Sequence, residues 1–380
     1  MSSIGIKASI VPVSVILGSL SFLCIQVRQA DAELLIGNSE SNNIIIFDEQ
    51  TGSFKGNFTT PSSGGLRAPD DLSFGPDGNL YVSSGGNSSL NLFDPSYPTD
   101  SAVLRYNGQG KFLGVAASGN GLTRPYGTAF GPDGSLYVSS FRTNQILRFN
   151  PKTGKFLGVF ASDNNSGLGT PNGLNGPNGL LFGSDCSLYV TTEGTVNDGS
   201  GNLVFKYESQ VLRYSPEQVA GKEPTTIPSV FISQPPPLPE SLGFVSFLGL
   251  VEAPNNDILV SDFAGGIRRY NSSGVLLSTL STNYTGTIPS NNFIGSLTFG
   301  SGNSSNNLYT VGFDFSNDNI GSILSYQDAQ GSSSNFSGTQ ITSNSLVRPI
   351  GITAIPVPGE ENSNSKFRRS CSHQKQLGQE

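Results

Sequence analysis

A chain of 380 residues with 47 glycines, 23 prolines and only 13% charged residues is made for short strands and many turns, not for long ion-paired helices. Its net charge of -7 and pI near 4.8 argue against a surface that collects phosphates, so nucleic acid is not an expected partner. The one histidine, His373, lies in the polar C-terminal tail. A nucleophile–histidine–acid triad and a histidine-bound zinc are thereby excluded from the body of the chain, which leaves acid–base work to carboxylates.

In chain order, the N-terminus presents Lys7, an apolar run from Ala8 to Cys24, and Ala30-Asp31-Ala32, a small-x-small site for cleavage before Glu33. Residues 1–32 therefore read as a secretory signal, and the mature protein is expected in the periplasm or outside the cell. The rival reading is an uncleaved anchor, but Ile10 to Ile25 falls short of the roughly 20 apolar residues a spanning helix wants. No stable membrane insertion is expected after cleavage. Of the two remaining cysteines, Cys186 replaces the glycine of a turn and Cys371 lies in the tail; the expectation is a turn cysteine, with a disulfide between them the alternative.

Internal self-similarity decides the fold. Asp71 to Ser84 (DLSFGPDGNLYVSS) and Gly127 to Ser140 (GTAFGPDGSLYVSS) are two copies of one strand–turn–strand unit. Proline fixes φ and glycine accepts positive φ in the Pro-Asp-Gly turn, while β-branched and aromatic residues on either side favour extended chain. Further copies run from Gly179 to Thr192, Gly249 to Asp262 and, with an enlarged turn, Gly295 to Gly312. A third strand follows each, marked by an aromatic after two apolar residues and a variable one: Phe47, Tyr106, Phe149, Tyr214, Tyr270 and Tyr326. A fourth follows a glycine-containing turn, as in Lys111 to Val115 and Lys155 to Val159.

Four strands per unit build a propeller blade, which buries both faces against its neighbours only when the ring is complete. The unit starts at Asp70, Tyr126, Asn178, Leu248, Ile294 and Ile350, so six blades are expected. Pro349 to Ile355 has the first-strand pattern without a hairpin partner. The missing strands lie at Leu34 to Gly37, Ile44 to Asp48 and Ser53 to Phe58, and joining the two ends closes the ring and removes its open edges. The expected organisation is thus an all-β, six-bladed propeller of four-stranded antiparallel blades over residues 33–356, followed by a disordered polar tail over 357–380. Gly85 to Ser101 and Glu193 to Ser209 read as enlarged second-to-third-strand connections, and the Pro235 to Pro239 run as an ordered surface loop. Recurrent Arg105, Arg148, Arg213 and Arg269 read as blade-to-blade packing rather than a positive ring.

The units quoted, over residues 34 to 356, resemble NHL repeats and their relatives in the six-bladed propeller superfamily, which also holds gluconolactonase-type lactonases and virginiamycin B lyase. The Phe-Gly-Pro-Asp-Gly-x-Leu-Tyr-Val signature covers binding members and enzymes alike, so it implies the fold and not the activity. Virginiamycin B lyase uses a histidine base, which this chain does not offer. In the lactonases a metal near the ring axis is held by carboxylate and asparagine side chains, and the equivalent positions here are the unit starts. Asn178 resembles the metal-binding asparagine and Asp70 adds an oxygen, while Leu248, Ile294 and Ile350 add none. No cofactor is expected; a divalent cation such as calcium on Asp70 and Asn178 is what the lactonase likeness would imply. The expected function is an exported binding or scaffold propeller, with no catalytic residues. It takes a small molecule, glycan or protein at an axial mouth formed by Asp70, Asp71, Tyr126, Asn178, Glu193 and Asp262. The alternative is a metal-dependent, lactonase-like hydrolase.

Overall fold

The computed structural model describes residues 32–85, 101–163, 169–197, 202–225, 227–327, 339–357 and Cys371. The chain begins in an unfinished sheet, β1 (Glu33–Asn38), β2 (Asn43–Asp48) and β3 (Phe54–Asn57). Blade one follows with β4 (Leu72–Phe74), β5 (Leu80–Ser84), β6 (Ala102–Tyr106) and β7 (Phe112–Ser118), and blade two with β8 (Pro125–Phe130), β9 (Leu136–Ser140), β10 (Gln145–Phe149) and β11 (Phe156–Ser162). Blade three is β12 (Pro177–Phe182), β13 (Leu188–Thr192), β16 (Gln210–Tyr214) and β17 (Ser229–Ile232), interrupted by a hairpin of β14 (Thr195–Asn197) and β15 (Leu203–Phe205). Blade four is β18 (Phe247–Glu252), β19 (Ile258–Asp262), β20 (Ile267–Tyr270) and β21 (Leu276–Leu280); blade five is β22 (Asn292–Phe299), β23 (Leu308–Asp314), β24 (Ile320–Tyr326) and β25 (Thr339–Val347). Finally β26 (Pro349–Ala354) pairs antiparallel with β1, Ile36 opposite Ile352, and completes blade six in the order β26-β1-β2-β3. The six four-stranded sheets and the seal between the chain's two ends are those the repeats demand.

The sheets are held together by their faces. All six recurrent third-strand aromatics, Phe47, Tyr106, Phe149, Tyr214, Tyr270 and Tyr326, are buried. Between blades, second-strand tyrosines meet first-strand phenylalanines of the next blade edge to face: Tyr81 with Phe130 at 4.9 Å and Tyr137 with Phe182 at 5.0 Å. Apolar clusters accordingly span neighbouring blades; one joins Tyr309, Val311 and Ile323 of blade five to Leu34, Ile36 and Ile352 of blade six.

Near the axis, the glycine that follows five of the six unit starts has a steric cause. A Cβ on Gly127 would collide with the Asn178 carbonyl, on Gly179 with that of Leu248, on Gly295 with that of Ile350 and on Gly351 with that of Asp70. The first strands of blades two to five bulge here, their registers slipping between Pro125 and Thr128, Pro177 and Leu180, Phe247 and Leu250, and Ile294 and Leu297. Second-strand hydroxyls meet the freed backbone groups: Gly127 N donates to Ser139 Oγ at 2.7 Å, Gly179 N to Thr191 Oγ1 at 2.8 Å and Gly249 N to Ser261 Oγ at 3.0 Å.

Several expectations need revision. Cys186 is not a free turn cysteine: it is buried and forms a disulfide with Cys371, 185 residues away. That bond fixes one residue of the expected disordered tail, whose other residues, 358–370 and 372–380, lie outside the described residues, as does the signal segment up to residue 31. The Glu193–Ser209 connection is not plain loop but carries the β14–β15 hairpin, while most of Gly85–Ser101 lies outside the described residues. The proline run is held by Arg268, whose guanidinium donates to the Pro236 carbonyl at 2.8 Å. Recurrent arginines pair chiefly within their own blade, Arg213 with Asp185 at 2.8 Å and Arg269 with Asp257, although Arg105 reaches the Pro151 carbonyl of the next blade. No described helix is long and apolar enough to cross a membrane.

Candidate functional site

First strands begin, and second strands end, on one face of the ring, so two repeat positions surround the mouth of the axial channel. Two residues before the unit starts stand Ala68, Arg124, Gly176, Ser246, Asn292 and Arg348; just after the second strands of blades two to five stand Phe141, Glu193, Phe263 and Phe313 by repeat alignment. At the first of these positions the backbone turns left-handed in four blades, with φ of 37° at Ala68, 55° at Arg124, 64° at Gly176 and 50° at Arg348. Glycine takes that conformation freely, whereas a side chain there is strained, so the two arginines are held against local preference.

Asp70, Asp71, Asn178, Glu193 and Tyr126 all belong to this mouth. The Asp71 carboxylate accepts hydrogen bonds from Thr128 N at 2.8 Å, from Thr128 Oγ1 and from Ser73 Oγ, which ties blade one to blade two. Asn178 Nδ2 donates to Glu193 Oε1 at 2.7 Å. Burial raises the pKa of both acids, partly opposed by these donors. Asp70 is pushed up to about 8, by burial first and then by the negative charge of Asp71; Glu193 adds to the rise, while Arg124 and Arg348 act against it. Charges from blades one, two, three and six therefore act on one carboxyl group. Tyr126 is buried against Phe141, ring centroids 4.9 Å apart, and its carbonyl accepts from Ser83 Oγ at 2.6 Å.

Asp262 stands apart from this group. Its carboxylate takes the Arg268 guanidinium at 2.6 Å and the Ser246 backbone N–H at 2.9 Å, with Asp262 and Arg268 both fully buried. Such a pair fixes the loop after β19 and leaves little of the carboxylate for a ligand.

Three features of the mouth were not singled out from the sequence. Arg124 is only 5% exposed; its guanidinium carbon lies 4.8 Å from the Tyr126 ring centroid and 4.9 Å from that of Phe141, and its Nε has no hydrogen-bond partner. Arg348 lies over Phe313 at 5.7 Å. Phe263 and Phe293 stack face to face at 4.2 Å, with Phe313 and the exposed Phe315 alongside. The signal for all three was the residue identity at repeat positions flanking the unit starts, notably Arg-Pro-x-Gly at both Arg124 and Arg348. Elsewhere, a cavity of about 510 Å³ beside the β14–β15 hairpin is lined by Asn172, Lys206, Tyr207, Glu208, Gln210 and Gln234, and none of the sequence-predicted residues lines it.

The residues present do not suit a hard cation. No three His, Cys, Asp or Glu side chains among the described residues are grouped as metal ligands would be. Asp71 Oδ2 is taken by the Thr128 and Ser73 donors, and the positive charge of Arg124 acts on both Asp70 and Glu193.

No family model matches the chain, and no curated protein matches it. Solved structures do. The chain is similar to a chain of the nidogen/laminin complex, with TM-score 0.55, 14% identity, and 85% of this chain and 98% of that one covered. A protein of unknown function from Bacteroides caccae is similar at TM-score 0.52 and 14% identity, over 86% and 99% of the two chains. A gluconolactonase from Xanthomonas campestris aligns at TM-score 0.46 and 15% identity, over 73% and 78%. At such identities the likeness is one of fold.

Proposed function

We propose that this chain, a six-bladed β-propeller of the fold that NHL-repeat and gluconolactonase-like proteins share, is an exported binding module whose ligand sits in the axial mouth. The observation that carries the reading is the composition of that mouth: half-buried Asp70, Asp71, Glu193 and Arg348 and buried Arg124 come from four blades and act on one another, and a stacked aromatic surface completes the rim. Charges gathered from separate blades do nothing for the folding of any one blade, and a concave site with a few converging polar groups beside apolar walls is the general form of a ligand pocket. Export is supported by the Cys186–Cys371 disulfide, a bond kept in oxidising compartments, and by the apolar N-terminal run with its cleavage site. Small molecules, glycans and protein segments all remain within this reading.

The competing reading is a lactonase-like hydrolase using Asp70 and Asn178. Metal content and lactone hydrolysis of the purified protein separate the two. The expected result is no stoichiometric divalent ion and no hydrolysis. A tightly held ion, together with lactone hydrolysis abolished by Asn178→Ala, would overturn the binding-module reading.

A further inference from the structure

We infer that the mouth selects an organic carboxylate with a flat apolar body, the acid group held by Arg124 and Arg348 and the body laid on the Phe263–Phe293 stack. This rests on the reading of the mouth as a binding site and names its ligand class. The sign of the charge follows from which groups already have partners. Asp71 Oδ2 accepts from Thr128 and Ser73, Glu193 Oε1 accepts from Asn178, and burial holds Asp70 toward its neutral form, so the acids of the mouth have less pull on an amine than their number suggests. Arg124 is in the opposite position. It is nine-tenths buried, its faces are covered by Tyr126 and Phe141, and its in-plane Nε–H meets no acceptor. Among the described residues it forms no ion pair. A guanidinium has five N–H donors in one plane, in a fork that matches a carboxylate, and a buried one without an acceptor is costly.

The backbone supplies an independent argument. Arg124 and Arg348 occupy the same repeat position, each followed by Pro-x-Gly, and both sit at left-handed φ where blade three has Gly176. Ala68 adopts the same turn at φ of 37°, so the turn belongs to the repeat, and what blades two and six add to it is a guanidinium. Both arginines act electrostatically on Asp70, which puts them in the neighbourhood of one carboxyl group. Arg348 also borders the aromatic stack through Phe313, which makes acid site and apolar surface continuous. Phe263 and Phe293 are half-buried, which leaves ring surface open to a flat ligand.

The test uses one ring system with three charges: 1-naphthoate, 1-naphthamide and 1-naphthylmethylamine, titrated calorimetrically into the mature protein. Naphthoate is expected to bind at least about tenfold tighter than the amide, a difference of about 1.4 kcal/mol. Arg124→Gln should remove that preference and leave the amide unchanged, Arg124→Lys should keep part of it, and Phe293→Ala should weaken every member that binds. If Arg124→Gln does not fold, Arg348→Gln carries the same test. Amide or amine binding that is sensitive to Phe293→Ala, with naphthoate no tighter, overturns the carboxylate inference and leaves the mouth as a site. Binding of all three that is indifferent to every one of these substitutions, or no binding at all, overturns both.

Discussion

The two faces of the ring use charge in opposite ways. On the turn face charges are tied to nearby strands and turns: Asp185 accepts from Arg213 at 2.8 Å, from Tyr189 at 3.1 Å and from Ser187 at both N and Oγ, and Asp257 takes Arg269, while Glu252, Glu49 and Arg105 reach Ser184, Ser301 and the Pro151 carbonyl of adjoining blades. The aspartate–arginine pairs among these are short-range in sequence. On the mouth face the acids and bases come from different blades, one guanidinium is buried without an acceptor, and Asp70 is held far from its ordinary pKa. Charge left over after folding marks the place where something else is to bind.

Three experiments sharpen this contrast. The largest effect belongs to the turn face, where Cys186→Ser removes the bond to Cys371 and is expected to lower unfolding free energy by about 2–4 kcal/mol. Urea titration checks it; reductant should reproduce the loss in the native protein and do nothing further to the variant.

A pH-dependent effect belongs to the mouth. Asp70 has a folded-state pKa of about 8 against 3.8 for the ordinary group, so between those values the folded state binds more protons than the unfolded one. Its contribution to stability must then fall as pH climbs from about 4 to about 8 and level off above. Asp70→Asn should flatten that part of the stability–pH curve; an unchanged slope would show that the carboxyl is not held in its acid form by Asp71 and Glu193.

The smallest effect is expected at a turn-face pair. Arg213 and Asp185 are each more than a third exposed, and Arg213→Gln should cost under about 1 kcal/mol with no change in mouth binding. A larger loss would mean that the turn-face trio bears on the ring as a whole.

Much of the architecture was legible because a propeller repeats its instructions. The hairpin turns, two of them Pro-Asp-Gly, the six third-strand aromatics and the orphan first strand at Pro349–Ala354 state local rules, and the β26–β1 pairing is what those rules imply. Five of the six expected mouth residues, Asp70, Asp71, Tyr126, Asn178 and Glu193, do gather there, because a unit start is an axial position in any such ring. Asp262 was misleading for a physical reason: it ends a second strand as Thr192 does, but a buried arginine six residues later claims it. Arg124, Arg348 and the phenylalanine stack went unnoticed because no single blade carries them as a pattern.

Sequence alone determined the number of blades, the strands in each and the joining of the two ends, since these follow from periodic patterning and from the need to bury both faces of every sheet. Only the tertiary structure decided which charges are left without partners and which cysteine meets which. Those are relations between residues as much as 185 positions apart, and pairwise distances across a closed ring are not written in any one repeat.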